Sequence, residues 1–76
     1  MERNKSMKKF LELRKEFWEL YHRARKVRRR KDLKSFLSRL SRILADMRYV
    51  YGGAFSIYVT SRESEALKQL TKGGDK

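Results

Sequence analysis

Apolar residues recur at spacings of three and four along two segments of this chain, and that periodicity is the feature that most restricts its fold. In the first segment the apolar seam consists of Phe10, Leu13, Phe17, Leu20, Ala24 and Val27. In the second it consists of Leu33, Phe36, Leu37, Leu40, Ile43, Leu44, Met47, Val50 and Tyr51. Such spacings are typical of amphipathic helices that pack against one another. They predict helix 1 over about residues 3–30 and helix 2 over about residues 33–51.

The apolar surface of helix 1 is wider than a single partner helix would bury. Met7, Leu11, Trp18 and Tyr21 flank its seam, so the apolar arc spans roughly 160° at 100° per residue. We therefore expect helix 1 to touch helix 2 and also either the C-terminal region or another chain. Packing is the simpler interpretation for Trp18 and Tyr21. Because they lie at the edge of the arc, they are also our candidates for a partner interface.

An alternating segment follows the Gly52-Gly53 pair that is expected to end helix 2. Apolar Phe55, Ile57 and Val59 alternate with Ser56, Tyr58 and Thr60, and most of the six are β-branched or aromatic. This alternation predicts a short strand over about residues 54–60. A lone strand cannot satisfy its own backbone hydrogen bonds, so we expect it to pair with a second copy, with another protein, or with a distorted stretch of this chain that its pattern does not reveal. Phe55, Ile57 and Val59 thus complete the predicted partner interface.

The remainder of the chain predicts a third, short helix. Thr60-Ser61-Arg62-Glu63 has the form of a capping box, which begins a helix over about residues 61–71. Residues 73–76 are expected to be a flexible tail. The fold class is therefore mainly α: a long antiparallel helical hairpin, one short β-strand and a short C-terminal helix, in one small domain over residues 1–72. The chain contains no cysteine and one histidine, which excludes disulfides and argues against a metal site.

A run of cations separates the two long helices. Residues 22–31 carry seven formal positive charges and no acid, within a chain of net charge +12. With Asp32 as the expected N-cap of helix 2 and the helices joined near residues 30–32, the run lies at the tip of the hairpin. A dense cationic block repels itself unless a polyanion neutralises it. The predicted nucleic-acid-binding residues are Arg23, Arg25, Lys26, Arg28, Arg29, Arg30 and Lys31, with Lys34, Arg39 and Arg42 extending along helix 2.

The sequence thus favours a small, non-enzymatic nucleic-acid-binding protein with little base specificity, free or as an accessory subunit of a replication, transcription or ribosomal assembly. DNA and RNA are not distinguished. No nucleophile has a base spaced to activate it, His22 has no carboxylate partner, and no glycine-rich phosphate loop is present, so we expect no cofactor and no small-molecule substrate. The alternative is a protein–protein adaptor that uses the helix 1 seam and the edge strand. Membrane binding is a weaker third interpretation, and we expect a cytoplasmic or nucleoid-associated protein.

Overall fold

The computed structural model describes residues 2–74, with side chains from residue 7 to residue 72. Within this range there are four helices: α1 (Glu2–Arg25), α2 (Arg30–Tyr51), α3 (Ser56–Val59) and α4 (Ser61–Gly74). Helices α1 and α2 form an antiparallel hairpin, against which α4 packs, so the described chain is a rod of 45 × 19 × 14 Å. None of its helices combines the length and apolar character needed to cross a membrane.

The two predicted seams meet in the core. Its buried apolar side chains are Phe10, Leu13, Phe17 and Ala24 of α1, Leu40, Leu44 and Met47 of α2, and Ala66 of α4. The second neighbour of helix 1 is therefore the C-terminal region of the same chain. Trp18 and Tyr21 pack against this core as half-buried residues.

Two hydrogen bonds fix the direction of α4. The Arg14 Nη2 atom donates to the Val59 carbonyl oxygen at 2.6 Å, and Trp18 Nε1 donates to Glu63 Oε2 at 2.7 Å. Trp18 follows Arg14 by four residues on α1, and Glu63 likewise follows Val59 by four residues on the segment that leads into α4. The two segments are therefore parallel, and α4 runs in the same direction as α1. It therefore extends from the middle of α1 toward the turn that joins α1 to α2.

The predicted strand over residues 54–60 is wrong. The described chain is 86% helical and contains no β-strand. In place of the strand, a turn leads into α3, where local bonds such as Tyr58 N–H to Phe55 O at 2.9 Å and Thr60 N–H to Ser56 O at 3.2 Å satisfy the backbone. No pairing with another strand is then required. The expected alternation also fails, because Ser56 and Thr60 are buried while Phe55 and Ile57 are exposed.

The helix bounds differ from those expected around the cationic run. Helix α1 ends at Arg25 and α2 begins at Arg30. Extending α1 would place Arg25, Arg28 and Arg29 on one helix face, where like charges three and four residues apart repel. Asp32 is not the N-cap of α2: Arg29 occupies that position without a side-chain cap bond, and Asp32 lies in the first turn.

The C-terminal helix is longer than expected. It includes Gly73 and Gly74, which were expected to lie in a flexible tail. Positions 75 and 76 of that tail lie outside the described residues. The expected capping box does not form either, because the Glu63 carboxylate bonds to Trp18 of α1.

We expect Gly52→Ala to lower the free energy of unfolding by about 1–3 kcal/mol, because its backbone lies in a region that essentially only glycine adopts. Gly52 has φ 77° and ψ 152° at the C-terminus of α2. An added Cβ would meet no atom within 4 Å, so the cost comes from the backbone alone. Urea denaturation followed by circular dichroism measures it. An unchanged unfolding free energy would contradict this backbone assignment.

Candidate nucleic-acid interface

The cationic tip is a four-residue loop, residues 26–29, at one end of the rod. At the end of α1, Lys26 N–H donates a hydrogen bond to Arg23 O and Val27 N–H donates one to Ala24 O, both at 3.1 Å. The Val27 side chain is partly buried. The chain then enters α2, where Leu33 N–H bonds to Arg29 O at 3.0 Å. The loop is thus a short reversal whose backbone is hydrogen-bonded at both ends.

Every cation predicted for the tip is exposed: Arg23, Arg25, Lys26, Arg28, Arg29, Arg30 and Lys31. The Arg25 guanidinium lies 5.9 Å from the centroid of the Tyr21 ring. Among residues 7–72, the loop cations Lys26, Arg28 and Arg29 form no ion pair. Their charge is therefore not neutralised by a carboxylate of the described fold.

The start of α2 adds to the positive potential of the tip. A helix N-terminus carries a partial positive charge on its first N–H groups. Arg30 and Lys31 lie in this first turn, with Asp32 as its one acid, and the N-cap supplies no side-chain acceptor. The cations of the last turn of α1 instead lie beside the partial negative charge of a helix C-terminus, which favours them.

Arg39 and Arg42 lie in a different electrostatic setting. They line a groove of about 360 Å³ between α1 and α2, together with Arg23 and three carboxylates, those of Glu16, Glu19 and Asp46. The formal charges of these six groups cancel. These two arginines are therefore less suited to phosphate contact than the tip. Lys34 is exposed on the second turn of α2, close to the tip.

Two lysines that sequence reasoning did not single out extend toward the tip. Lys68 and Lys72 are exposed on α4, and α4 runs toward the turn between α1 and α2. Their four-residue spacing places them on one helix face. The sequence alone does not give the direction of α4. It therefore does not predict that these lysines lie on the side of the cationic run.

The predicted partner-interface residues separate into two groups. Trp18 lies 5.4 Å from Phe17 and 5.2 Å from Tyr21 between ring centroids, in edge-on contacts, so Trp18 and Tyr21 belong largely to intramolecular packing. Val59 is partly buried. Phe55 and Ile57, by contrast, are 71% and 60% exposed. Since α2 and α4 cover the helix 1 seam and the described chain has no edge strand, the surfaces expected for an adaptor are not available in their predicted form.

Glu63 forms the most buried polar contact between α4 and α1. Its residue is 2% exposed, and Oε2 accepts the Trp18 Nε1 hydrogen bond while lying 3.2 Å from Arg14 Nε as an ion pair. Glu63 Oε1 has no hydrogen-bond partner. This carboxylate therefore joins α4 to α1.

No cluster of three potential metal ligands occurs in the described part of the chain. Comparison with protein-family models, with curated proteins and with solved structures found no match.

Proposed function

We propose that this chain is a small, basic nucleic-acid-binding protein, free or as an accessory subunit of a nucleic-acid-processing assembly, which contacts phosphates through its cationic tip. The observation that carries the proposal is the loop of residues 26–29 with its exposed Lys26, Arg28 and Arg29, together with the absence of any carboxylate between residues 20 and 31. Phosphate backbones neutralise such a block and release condensed counterions, which supplies binding free energy. The arginines in the loop can also bind phosphate oxygens in a bidentate manner.

The same geometry favours binding with little sequence specificity. The cations project from a loop and from two helix ends, so they do not form a row along one helix that could read base edges in a major groove. Contacts to phosphate position a protein without reading sequence. Lys34, Lys68 and Lys72 extend the positive surface without adding a base-reading element. We infer that shape and charge determine the preferred nucleic acid.

The affinity of the full chain for nucleic acid is expected to fall steeply as salt rises. Each neutralised phosphate of duplex DNA contributes about −0.9 to the slope of log K against log salt. With four to six contacts from the tip, the dissociation constant should rise roughly 10²–10³-fold between about 50 and about 200 mM salt. Fluorescence anisotropy with a labelled duplex DNA and a labelled RNA hairpin, each at several salt concentrations, measures both slopes.

The comparison of the two probes distinguishes the outcomes. A slope of similar magnitude for both probes supports recognition of charge, and a large difference in affinity identifies the preferred form. Binding that does not change with salt, or no binding to either probe at low salt, would overturn the proposal.

A further inference from the structure

A second groove lies between α1 and the segment that leads from α3 into α4. It has a volume of about 380 Å³, and its walls include Trp18 of α1, Tyr58 of α3 and Arg62 of α4. Tyr58 is 72% exposed, and the Phe55 ring contacts it at a centroid distance of 6.1 Å. We call this the aromatic groove. It combines an exposed ring with an exposed cation on one surface.

The charges of the aromatic groove favour an anionic ligand. Its charged lining residues are Arg14, Arg62 and Glu63, which sum to +1. The Glu63 carboxylate is paired with Arg14 at 3.2 Å, so its charge is already neutralised within the fold. The Arg14 guanidinium also donates to the Val59 carbonyl oxygen. Arg62, in contrast, is exposed and forms no ion pair among residues 7–72. Of the two groove arginines, Arg62 is therefore the one available to a ligand.

A series of ring contacts joins the aromatic groove to the cationic tip. Trp18 contacts Tyr21 at 5.2 Å and His22 at 6.5 Å between ring centroids. The Arg25 guanidinium in turn lies 5.9 Å from the centroid of the Tyr21 ring. Because Arg25 follows Trp18 by seven residues on α1, the two lie about 10 Å apart along the helix axis. A stacked strand with one phosphate about every 3.4 Å covers that distance with about three phosphates.

We propose that the aromatic groove binds the bases of a single-stranded nucleic acid whose phosphates extend to the cationic tip. The inference rests on the proposed function and specifies its preferred ligand, a single strand rather than a duplex. Tyr58 supplies a face on which any base can stack, and Arg62 contacts the backbone beside it. The bases of a duplex are stacked on one another, so a duplex can bind the tip but not the Tyr58 ring.

The groups around the groove favour a nucleic-acid strand over an acidic polypeptide or a second copy of the chain. Residues 49–60 carry no charge, and the nearest charged residues in sequence are two cations, Arg48 and Arg62. Two copies that met at this groove would bring like charges together. An acidic polypeptide can pair with Arg62 but offers no planar group to Tyr58, whereas a nucleotide provides both a phosphate and a base.

Fluorescence anisotropy of the full chain with labelled oligo(dT) and with labelled duplex DNA tests the proposal. Tyr58→Ala should weaken oligo(dT) binding about 5–150-fold, as the loss of one stacked base implies, and should leave duplex binding unchanged. Tyr58→Phe keeps the ring and should bind oligo(dT) as the wild type does. The matched control Tyr49→Ala removes a ring that is 88% exposed on α2 and does not line the groove. It should affect neither complex.

Arg62→Gln tests the backbone contact separately. The magnitude of the salt slope for oligo(dT) should fall by about 0.7, the contribution of one phosphate of a single strand. The slope for the duplex should stay as in the wild type. Lys9→Gln makes the same change of charge at an exposed position of α1 that does not line the groove, and it should leave both slopes unchanged.

The outcomes separate the groove from the tip. If Tyr58→Ala binds oligo(dT) as tightly as the wild type while duplex binding remains salt-dependent, the groove proposal is overturned and the proposed function stands. No binding of either nucleic acid overturns both. Equal weakening of both complexes by Tyr58→Ala also overturns the groove proposal, because stacking cannot explain it.

Amide chemical shifts of the full chain identify the ligand of the groove. Oligo(dT) should shift the resonances of residues 58–63, and oligo(U) tests whether RNA does the same. Duplex DNA and poly-glutamate should leave these resonances in place. Equal shifts with poly-glutamate would identify an acidic polypeptide as the ligand, and shifts on dilution without nucleic acid would identify a second copy. Either result contradicts the proposal.

Discussion

The triple variant Lys26→Glu, Arg28→Glu and Arg29→Glu is expected to bind duplex DNA at least about 100-fold more weakly than the wild type, as the loss of three phosphate contacts implies. Each replacement also places a carboxylate next to the phosphate backbone, which adds repulsion. The magnitude of the salt slope should fall by about three, or about one for each lost contact. All three side chains are exposed and form no ion pair within residues 7–72. Helical content should therefore change little, and the unfolding free energy should not fall, because the replacements reduce like-charge repulsion at the tip.

A second triple variant controls for total charge. Lys8→Glu, Lys9→Glu and Lys15→Glu alter exposed residues of α1 and change the net charge by the same amount, but they lie away from the tip. Anisotropy titrations of both variants with the same duplex separate the two effects. An equal loss of affinity in both would mean that the overall charge binds nucleic acid and that the tip has no special role. Retained affinity in the tip variant would exclude the tip as the contact surface.

Glu63→Ala should lower the free energy of unfolding by about 3 kcal/mol, the lower end of the cost of breaking a buried ion pair. The Glu63 side chain is 3% exposed, and its loss leaves the Trp18 Nε1–H donor without its acceptor and the Arg14 guanidinium without its carboxylate partner. The Arg14 side chain is 35% exposed, so water recovers part of its solvation, which keeps the expected cost at the lower end. Because small domains are stable by only about 5 kcal/mol, the variant should be close to unfolding. Urea denaturation followed by circular dichroism measures the change.

Two further variants test this assignment. Glu65→Ala makes the same substitution at an exposed position of α4 and should change stability by no more than about 0.5 kcal/mol. Trp18→Phe keeps an aromatic side chain but removes the indole N–H and one of its two fused rings, so it should cost at least the roughly 1.5–3 kcal/mol of a hydrogen bond to a charged group. Equal effects of Glu63→Ala and Glu65→Ala would show that the carboxylate contributes to α4 only through helix propensity.

The helical hairpin could be predicted because its signal is long and periodic. The seam positions Phe10, Phe17, Leu40 and Met47 are all buried, as their spacing indicates. The tip could be located for the same reason, since a charge run between two seamed helices must lie where the chain reverses. Its exact bounds could not, because like-charge repulsion within the run opposes a helix while arginine and lysine have good intrinsic helix propensity.

The segment after Gly53 could not be predicted correctly from local pattern. The six residues 55–60 alternate in polarity, and such a pattern indicates a strand whose polar side chains face solvent. Here Thr60 is buried instead, because its hydroxyl donates to Ser56 O and accepts from Arg48 Nε. The capping role expected for Glu63 fails for a similar reason. Its partner Trp18 is 45 residues away, and no local motif records such a contact.

Because Trp18 is hydrogen-bonded to Glu63, tryptophan fluorescence reports whether α4 is attached to the hairpin. Trp18 is the one tryptophan of the chain, and its indole N–H is held by a residue of α4. When α4 separates from the hairpin, the indole exchanges a buried carboxylate for water, and its fluorescence emission moves to longer wavelength. Circular dichroism, in contrast, is dominated by α1 and α2, which together contain most of the helical residues. Detachment of the C-terminal helix and melting of the hairpin are thus visible at different wavelengths in one unlabelled sample.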